Sequence, residues 1–534
     1  MEFQSYAYGK NHWALEPDLP HILRRYWPGF SGFEKQLHEF GALAGGRAYA
    51  VADTVDRAAA PELVTMDLDG RRVDRARLAP EHMALLRDMA WINRPPYEGG
   101  SWHAHFALGY LLADTGLYCS LIVTNQTAYA IYKYAPEHSR WIEPLLSGQA
   151  WGATWMSETH AGSDLGANRT LARRDDSGWH LDGNDKYFAS NAGLADLAIV
   201  TARPEGAPDG PKGLALFLVP RLDEAGRLNF YVRRLKRKSA TRAVPTGEVE
   251  FHNTQAYLIG EAELGIYYTL ENLTVSRLAN AVGAMGLARK AHLEALYRVC
   301  ARQAFGSALS EHPLIRMDLT DLAVRTAGGL ALTFHAVQAF DQAWQQRPPY
   351  TAAYHTARFL SHLAKNRTAE HAAEVTRQVM ELFGGVGFME DFAISRLHRE
   401  ALVTAIWEGA SNIQALDLLE AMHKKHAHEG FLDEMIPLLE HAGTPDARLA
   451  AQTMGATLEK LAQLPPAEAQ WYSKDALTAL ADSAAVALLY ALAEQGGERW
   501  ARQAALYTAR FLRRESYPAW ARDDREVWFP LQDI

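Results

Sequence analysis

The chain has 534 residues, of which 48% are hydrophobic and 22% are charged, and its formal net charge is −9 at pH 7. This composition is ordinary for globular proteins and excludes a disordered or fibrous chain. The negative charge gives no general attraction to nucleic acid or to anionic membranes, so either partner would require a local basic patch.

The length predicts three or four domains rather than one. The sequence contains two cysteines, Cys119 and Cys300, which are too few and too far apart for a disulfide framework or for a zinc site of clustered thiolates. No apolar run reaches the roughly 18 residues of a membrane span, and "MEFQSYAYGKNHWALEPDLP" at the N-terminus lacks the basic and apolar regions of a signal peptide. We therefore expect a soluble protein of the reducing cytoplasm, with no membrane partner.

The hydrophobic spacing changes three times along the chain. Residues 1–150 are predicted to be mostly helical, because stretches such as "GYLLADTGLYCSLIVTNQTAYAIYKYAP" place apolar residues three and four apart. Residues 151–265 contain short β-rich runs separated by Gly, Pro, Asp and Asn, and these predict a compact β domain. Helical spacing returns in residues 266–425 and predicts a bundle. Residues 426–534 are rich in Ala and Leu and contain the linker-like "LPPAEAQ", so we predict an appended helical domain.

The glycine cluster "LFGGVGFMED" (382–391) permits two interpretations. A dinucleotide-binding loop should follow a strand near the start of a domain, whereas this cluster follows a predicted helix late in the chain. Gly384, Gly385 and Gly387 could let the main chain approach a ligand closely. They could equally end a helix, and the residues alone favour that helix C-cap.

Other candidate motifs have an ordinary structural explanation beside the functional one. "HAGSDLG" around Ser163 lacks the spacing of a hydrolase nucleophile elbow, so a hydrogen-bonding role is expected for Ser163. The basic run "RRLKRKSATR" (233–242) could bind phosphate, but a solvated face is the favoured interpretation. The 21 histidines show no metal-binding spacing such as H-E-x-x-H, and we predict no metal. In "IWEGASNIQ" (406–414), Glu408 could be a catalytic base or an acid at a helix end.

Taken in order, four motifs resemble those of the acyl-CoA dehydrogenase family of flavoproteins. "WMSETHAGSD" (155–164) resembles the flavin-binding T-E-P-x-A-G-S-D, with Ser157 at the threonine and Thr159 at the proline. "DKYFASNAG" (185–193) resembles K-x-W-I-T-N-A, which places Phe188 at the ring that stacks on the flavin and Ser190 at the hydroxyl near flavin N5.

The other two motifs lie in the predicted bundle. "RQAFG" (302–306) resembles R-x-x-F-G, whose arginine reaches the cofactor pyrophosphate of a neighbouring subunit. "ELFGGVGF" followed by "HREALVTAIWEGASNIQ" resembles Q-x-x-G-G-x-G-F and R-D-x-x-x-x-x-I-Y-E-G-T-x-x-I-Q. The resemblance covers about residues 80–425, roughly two-thirds of the chain.

The resemblance implies a mainly α fold of the α+β class: an N-terminal helical domain, a central β-barrel and a four-helix bundle, here with an appended helical domain. It also implies FAD between the β domain and the bundle, in a homotetramer or, next, a homodimer. The family reaction removes an α-proton and a β-hydride from an acyl-CoA thioester, passes the hydride to flavin N5, and uses an acceptor such as an electron-transfer flavoprotein.

Glu408 stands at the position of the family's base, a carboxylate that an apolar cavity makes more basic by desolvation. Ser163 and Arg277 are implied as substrate contacts. The implied cofactor contacts are Met156, Ser157, Ser163, Phe188, Ala189, Ser190, Arg302, Phe305, Glu381, Gly384, Gly385, Trp407, Ala410 and Asn412.

Several positions depart from the family pattern. Glu381 and Ala410 replace a glutamine and a threonine, Asn412 replaces a glutamine or glutamate, Trp407 replaces a tyrosine, and Thr274 stands where an aspartate is expected. With the extra C-terminal helices, these departures resemble the AidB-like branch, in which acyl-CoA activity is weak or unknown and some members are thought to bind DNA.

A DNA-binding or DNA-protection role with little dehydrogenase activity is therefore the alternative function. Residues 426–534 carry 10 Lys and Arg against 16 Asp and Glu, a difference of −6, and "RFLRR" (510–514) is their one basic cluster. Duplex binding relies on clustered cations, so nucleic acid is not the expected partner.

Overall fold

The structure is a computed structural model that describes residues 5–529 and residue 531. It confirms the predicted fold class, because the chain is mainly helical, at 63%, with a central closed β-barrel. The described chain forms two compact units. The first contains the chain up to Ala50, Pro95–Thr115 and the chain from Arg277 onward, and the second contains Val51–Arg94 and Gly116–Ser276.

The helices of the described residues follow the predicted order. They are α1 (Leu19–Tyr26), α2 (Phe30–Leu43), α3 (Tyr49–Arg57), α4 (Pro80–Met89), α5 (Trp102–Leu112), α6 (Thr115–Tyr134), α7 (Ile142–Leu146), α8 (Gly265–Ala301), α9 (Pro313–Ala343), α10 (Ala352–Phe383), α11 (Ala393–Thr404), α12 (Ser411–Lys425), α13 (Ala427–Ala442), α14 (Pro445–Gln463), α15 (Pro466–Gly496), α16 (Glu498–Tyr507) and α17 (Arg525–Trp528).

Most strands of the described residues lie between α7 and α8. They are β1 (Glu62–Met66), β2 (Arg72–Arg77), β3 (Gly152–Trp155), β4 (Leu171–Asp175), β5 (Gly178–Ala189), β6 (Leu197–Pro204), β7 (Ala215–Pro220), β8 (Tyr231–Leu235), β9 (Gly247–Leu258), β10 (Gln303–Ala304) and β11 (Ser307–Ala308).

The barrel of the second unit closes through five strands. Strands β6, β4, β5, β9 and β7 pair in that order, and β7 pairs again with β6. Strand β3 runs parallel to β6, and β8 runs antiparallel to β9. Inward-facing residues of these strands form the core. In this core the Trp155 and Phe230 rings pack edge to face, with their centroids 4.8 Å apart. This burial of alternating apolar residues is why the short β-rich runs form a barrel.

The β1–β2 hairpin was not anticipated from the sequence, which predicted helices for most of the first 150 residues. Burial alternates along β2, but its buried positions include the charged Asp74 and β1 is mostly exposed or half-buried, so the sequence lacks the apolar alternation that marks a half-buried strand. The turn is fixed locally instead, because Asp67 accepts hydrogen bonds from the main-chain N–H groups of Asp69 (2.9 Å) and Arg71 (2.8 Å).

Helix α15 is the core helix around which the C-terminal helices of the first unit pack. Among the described residues it is the one helix long and apolar enough to match a membrane span, with a mean hydropathy of 1.7, but 83% of that window is buried inside the protein. The search for uninterrupted apolar runs missed it, because polar residues such as Asp482 and Ser483 interrupt the apolar sequence. Both of these residues are buried.

The predicted appended helices α13–α16 belong to the same compact unit as α9–α12 and the part of α8 from Arg277 onward. A buried ion pair joins them, in which the Arg367 guanidinium on α10 contacts Asp482 on α15 at 2.6 and 3.0 Å. The Tyr507 hydroxyl on α16 donates to the same carboxylate at 2.7 Å.

Candidate active site

Glu408 lies in the short turn between α11 and α12 and has a left-handed main-chain conformation. Its φ is +57°, and Gly409 follows with a φ of +92°. A left-handed conformation is uncommon for residues other than glycine, and it persists only where the surrounding structure enforces it, often at functional sites. The turn therefore needs strong support from its neighbours.

Three side chains of the first unit supply that support by donating to the carbonyl oxygens of the turn. Arg277 Nε donates to the Glu408 oxygen (3.3 Å), and Gln414 Nε2 donates to the oxygens of Glu408 (3.0 Å) and Gly409 (2.9 Å). Lys365 Nζ donates to the Gly409 oxygen at 2.6 Å. All three donors are buried. We call Arg277, Lys365 and Gln414 the carbonyl cradle.

A second layer of charged and polar groups fixes the carbonyl cradle. Arg277 pairs with Asp417 at 2.9 Å. Burial alone would raise the pKa of Asp417, but Arg277, His362 and Arg358 outweigh it and hold that pKa below its usual value. Asp417 is therefore ionised at neutral pH and balances the buried guanidinium groups.

His362 orients the Gln414 amide. Burial lowers the pKa of His362 to about 3, and the nearby Arg277 adds to this shift, so the ring is neutral. His362 Nδ1 lies 2.8 Å from Gln414 Oε1. Because Oε1 can only accept, Nδ1 carries the hydrogen, and the amide nitrogen is directed at the turn.

The start of α12 bears on the interpretation of Glu408 as an acid at a helix end. The N-cap is Ala410, which offers no side-chain cap, and the first turn of α12, all of it in the described chain, contains no acidic residue. Glu408 precedes the N-cap by two residues, so it is not itself the N-cap residue of this helix. Its assignment as a catalytic base stays a prediction.

The other predicted residues around this turn have different environments. The Trp407 indole N–H donates to Asn280 Oδ1, and Asn280 Nδ2 donates to the Thr404 oxygen at 3.0 Å. This chain of contacts anchors the indole to α8. Ala410 and Asn412 are exposed.

The glycine cluster ends α10, as the sequence favoured. Gly384 is the C-cap, with a φ of +68°, which confirms the helix C-cap. No heavy atom of the described residues would lie within 4 Å of a Cβ at Gly384 or Gly385. The main chain is therefore accessible there. Glu381, one turn earlier, is exposed and pairs with Arg377 at 2.8 Å.

The motif "RQAFG" forms a protruding hairpin. Strands β10 and β11 flank the two-residue turn of Phe305 and Gly306, whose φ values are +51° and +89°. Positive φ at both positions is the geometry of a tight hairpin turn. The Phe305 side chain is 97% exposed, and Arg302 is exposed beside it.

The barrel brings the predicted flavin residues of the second unit together. The Tyr187 main-chain N–H donates to the Ser157 oxygen at 3.0 Å, so the segment of Met156 and Ser157 lies beside the end of β5. The Ser190 hydroxyl donates to the Thr154 oxygen at 3.0 Å. Ala189 is buried in the barrel core, which leaves only its main chain for a ligand.

A buried ion pair, which sequence reasoning missed, holds the loop that carries Ser163. Lys186 Nζ lies 3.0 Å from Glu158 Oε1 and donates to Asn168 Oδ1 at 2.8 Å. Burial would raise the pKa of Glu158, but Lys186 and the N–H of Arg169 outweigh it and keep the pKa low. Ser163 itself is exposed. The sequence signal for this ion pair was one charged residue, Glu158 or Lys186, within each of the two β-rich motifs.

Within the described chain, one group of side chains has the proximity that a metal site needs. Ligand atoms of Glu158, His160 and Asp185 lie within 4.8 Å of one another. Glu158 is already occupied by Lys186 and by donors from the loop. Sequence spacing could not reveal this group, because its members are brought together by folding.

Three family models match the chain in succession. They are the AidB N-terminal domain (residues 4–150), the acyl-CoA dehydrogenase middle domain (153–254) and the acyl-CoA dehydrogenase C-terminal domain (263–423). The chain is 30% identical to the putative acyl-CoA dehydrogenase AidB of Escherichia coli strain K12 over 400 residues, which cover 70% of this chain and 71% of that protein. The chain belongs to the acyl-CoA dehydrogenase family. The AidB matches place it in the AidB-like branch.

Solved structures agree with this assignment. Caenorhabditis elegans ACDH-11 in complex with C11-CoA has a TM-score of 0.83 at 22% identity, covering 100% of this chain and 97% of that one. Bacillus anthracis acyl-CoA dehydrogenase complexed with FAD has a TM-score of 0.69 at 18% identity, covering 98% and 91%. As a member of the acyl-CoA dehydrogenase family, the chain is an oxidoreductase and a flavoprotein whose cofactor is FAD.

The barrel of this acyl-CoA dehydrogenase suits an FAD ligand. The Phe188 ring is 60% exposed and can offer an aromatic face. No described heavy atom would lie within 4 Å of a Cβ at Gly162, so the loop beside Ser163 is open. An exposed aromatic ring and an open glycine-containing loop are features that fit an FAD ligand.

One departure from the family pattern leaves Arg277 without a carboxylate on its own helix turn. Thr274 stands where the resemblance expects an aspartate, and its hydroxyl donates to the Leu270 oxygen of its own helix at 3.0 Å. Arg277 pairs with Asp417 on α12. The carboxylate partner of this arginine therefore comes from a different helix.

Proposed function

We propose that this protein dehydrogenates an acyl-CoA thioester between its α- and β-carbons, with Glu408 as the base. The observation that carries the proposal is the left-handed turn at Glu408, held by three buried donors at the position of the family's base. Such a conformation costs roughly 1–3 kcal/mol and persists only where the surrounding structure enforces it.

The bundle residues control where the proton goes. A Glu408 carboxylate oxygen accepts the proton from the thioester α-carbon, and the carbonyl cradle prevents the main chain from moving as the charge shifts. Bound FAD supplies the acceptor for the hydride that leaves the β-carbon, so the product is the trans-enoyl thioester. A positioned general base of this kind contributes about 10²–10⁴-fold to the rate.

The proposed substrate class is an acyl-CoA thioester whose acyl chain is bulky, branched or of medium length. The C11-CoA complex of the C. elegans structure supports a chain near that length. We propose an electron-transfer flavoprotein as the electron acceptor. The two cysteines form no disulfide with each other, which supports the cytoplasm as the location.

The decisive experiment is anaerobic bleaching of the bound flavin by a panel of acyl-CoA thioesters, followed by stopped-flow reduction of Glu408→Gln with the best substrate. Glutamine keeps the volume but cannot accept the proton, so we expect FAD to stay bound and reduction to fall by at least about 10²-fold. Glu459→Gln, an exposed position on α14, is the matched control. Unchanged reduction in Glu408→Gln would exclude it as the base.

We also propose that the AidB-like C-terminal region does not bind duplex DNA. Two of the three arginines in the exposed basic cluster "RFLRR" are already paired with carboxylates, because Arg510 pairs with Asp321 at 3.0 Å and Arg513 pairs with Asp446. Phosphate contacts would have to compete with these carboxylates.

A further inference from the structure

Lys365 is the one lysine of the carbonyl cradle, and the reaction as proposed so far gives it no role of its own. It lies on α10, is buried, and donates to the Gly409 oxygen at 2.6 Å. A buried ammonium group is costly unless nearby groups favour its charge. A nearby group must therefore favour the charged form of Lys365.

The charges around Lys365 identify that group. Burial lowers the pKa of Lys365 to about 8; the Glu408 carboxylate opposes this shift, whereas Arg277 adds to it. Several charged groups on the helices packed around α10 are paired with each other, among them Asp417 with Arg277, Asp482 with Arg367, and His335 with Glu434. The carboxylate whose charge acts on Lys365 is that of Glu408, the residue before the Gly409 whose carbonyl oxygen Lys365 holds.

We propose that Lys365 is a positioning residue for proton removal, which holds the Gly409 carbonyl and keeps the Glu408 carboxylate ionised next to the substrate. This inference rests on the proposed function of Glu408. Binding of an acyl chain removes water from the carboxylate and would raise its pKa, so that it would arrive already protonated. A fixed cation beside it counteracts that rise and leaves the base able to accept a proton.

Proton removal can be measured separately from hydride transfer. In an acyl-CoA whose β-carbon is replaced by sulfur, no hydride can leave, but the α-protons still exchange with D2O, and mass spectrometry follows the exchange. The FAD-loaded proteins to compare are the parent, Lys365→Met and Lys365→Arg. The matched control is Lys290→Met, because Lys290 is also buried and donates to a main-chain carbonyl, that of Ala113, at 3.3 Å.

In a plot of the α-proton exchange rate against pH, the rate falls on the acidic side as the base becomes protonated. We expect Lys365→Met to move this acid limb to higher pH by about one unit, so that exchange at a given pH on the limb is about tenfold slower. Lys365→Arg, which keeps the charge, should restore the limb to its parental position, and Lys290→Met should leave it there. A uniform fall in exchange at every pH, with the limb unmoved, would show a merely structural role and overturn the proposal. If Lys365→Met cannot be purified with FAD, Lys365→Gln gives the same comparison.

A second measurement separates this proposal from the proposed function. Unfolding of the FAD-loaded parent, Lys365→Met, Glu408→Gln and the double variant forms a double-mutant cycle. We expect the double variant to deviate by at least about threefold in the unfolding equilibrium constant from the product of the single effects. Additive effects would overturn the Lys365–Glu408 coupling even if thioesters are oxidised. Coupling without exchange by the parent would uphold the electrostatic coupling of Lys365 and Glu408 and reject the proposed function.

Discussion

Ala410 shows how one residue that departs from the family pattern changes the start of a helix. It is the N-cap of α12 and has the extended conformation, with φ −63° and ψ 168°, that a capping serine or threonine adopts. An alanine cannot accept a hydrogen bond from the first turn. The helix that follows Glu408 therefore begins with an uncapped N–H group.

We expect Ala410→Ser to stabilise the protein by about 1 kcal/mol, because the hydroxyl can accept from the first turn of α12. The measurement is the unfolding free energy in denaturant. Thr444→Ala is the matched reverse change, since Thr444 caps α14 by accepting from the Ala447 N–H at 3.1 Å, and it should lose a similar amount. A loss of stability in Ala410→Ser would show that the site has no room for the hydroxyl.

The position of Glu408 could be predicted from its motif, but the carbonyl cradle could not. Gln414 ends the same motif, yet its role depends on a rotamer that His362 fixes from another helix. Lys365 is followed directly by Asn366 and Arg367 in α10, so no apolar run marked it as a buried cation. Periodicity shows which face of a helix is buried, and it does not show which carbonyl a buried side chain will reach.

Between elements, the ion pair of Arg367 and Asp482 connects α10 to α15 inside the first unit. Removing one partner of a buried pair leaves an uncompensated charge, which costs about 3–5 kcal/mol. The C-terminal helices thus depend on a polar contact as well as on apolar packing.

Asp482→Asn should therefore lower the unfolding free energy by about 3–5 kcal/mol, measured by denaturant titration. The exposed pair of Arg502 and Glu498 provides the control, because Glu498→Gln should change the same quantity by less than about 1 kcal/mol. Equal effects of the two variants would mean that water reaches Asp482.

Helices and strands could be predicted from the sequence where the spacing of their apolar residues was regular. The barrel and the long bundle helices were predicted, because alternating or helical apolar spacing records which face is buried. The β1–β2 hairpin was missed, since its strands lack apolar alternation and its turn depends on side-chain hydrogen bonds of Asp67. The burial of α15 was missed because polar residues in it pair within the core.

For the whole molecule, the protruding hairpin predicts assembly. A fully exposed aromatic ring at the tip of a tight turn is unusual on a monomer, and the resemblance of "RQAFG" to the family motif implies contact with a neighbouring subunit. We therefore propose a homotetramer, with a homodimer next, in which Arg302 and Phe305 contact the cofactor of another subunit.

We expect Phe305→Ser to fold but to assemble less stably and to release FAD on dilution, as measured by light scattering with flavin absorbance. Trp471→Ser is the control, because Trp471 is also an exposed aromatic residue, on α15, and it should leave assembly unchanged. A parent protein that is a stable, FAD-loaded monomer would contradict the proposed role of the hairpin.

The whole-molecule charge leads to a prediction about nucleic acid. The C-terminal residues 426–534 are acidic, and two arginines of their basic cluster are engaged by carboxylates. Binding to duplex DNA at physiological salt, measured by fluorescence anisotropy, should be weaker than about 10⁻⁶ M, the limit of ordinary non-specific binding. Tight binding that weakens with salt and is lost in Arg514→Glu would refute this.

The discontinuous first unit has a consequence for how the chain folds during synthesis. Helix α1 buries Leu19, Ile22 and Leu23 and packs against α9 and α15, which the ribosome makes much later. At about 5–20 residues per second, α1 waits roughly a quarter of a minute to a minute before α9 emerges. Throughout that interval α1 can pack against α2 but not against α9 or α15. Part of its apolar face then stays exposed on the nascent chain, where we expect it to bind chaperones.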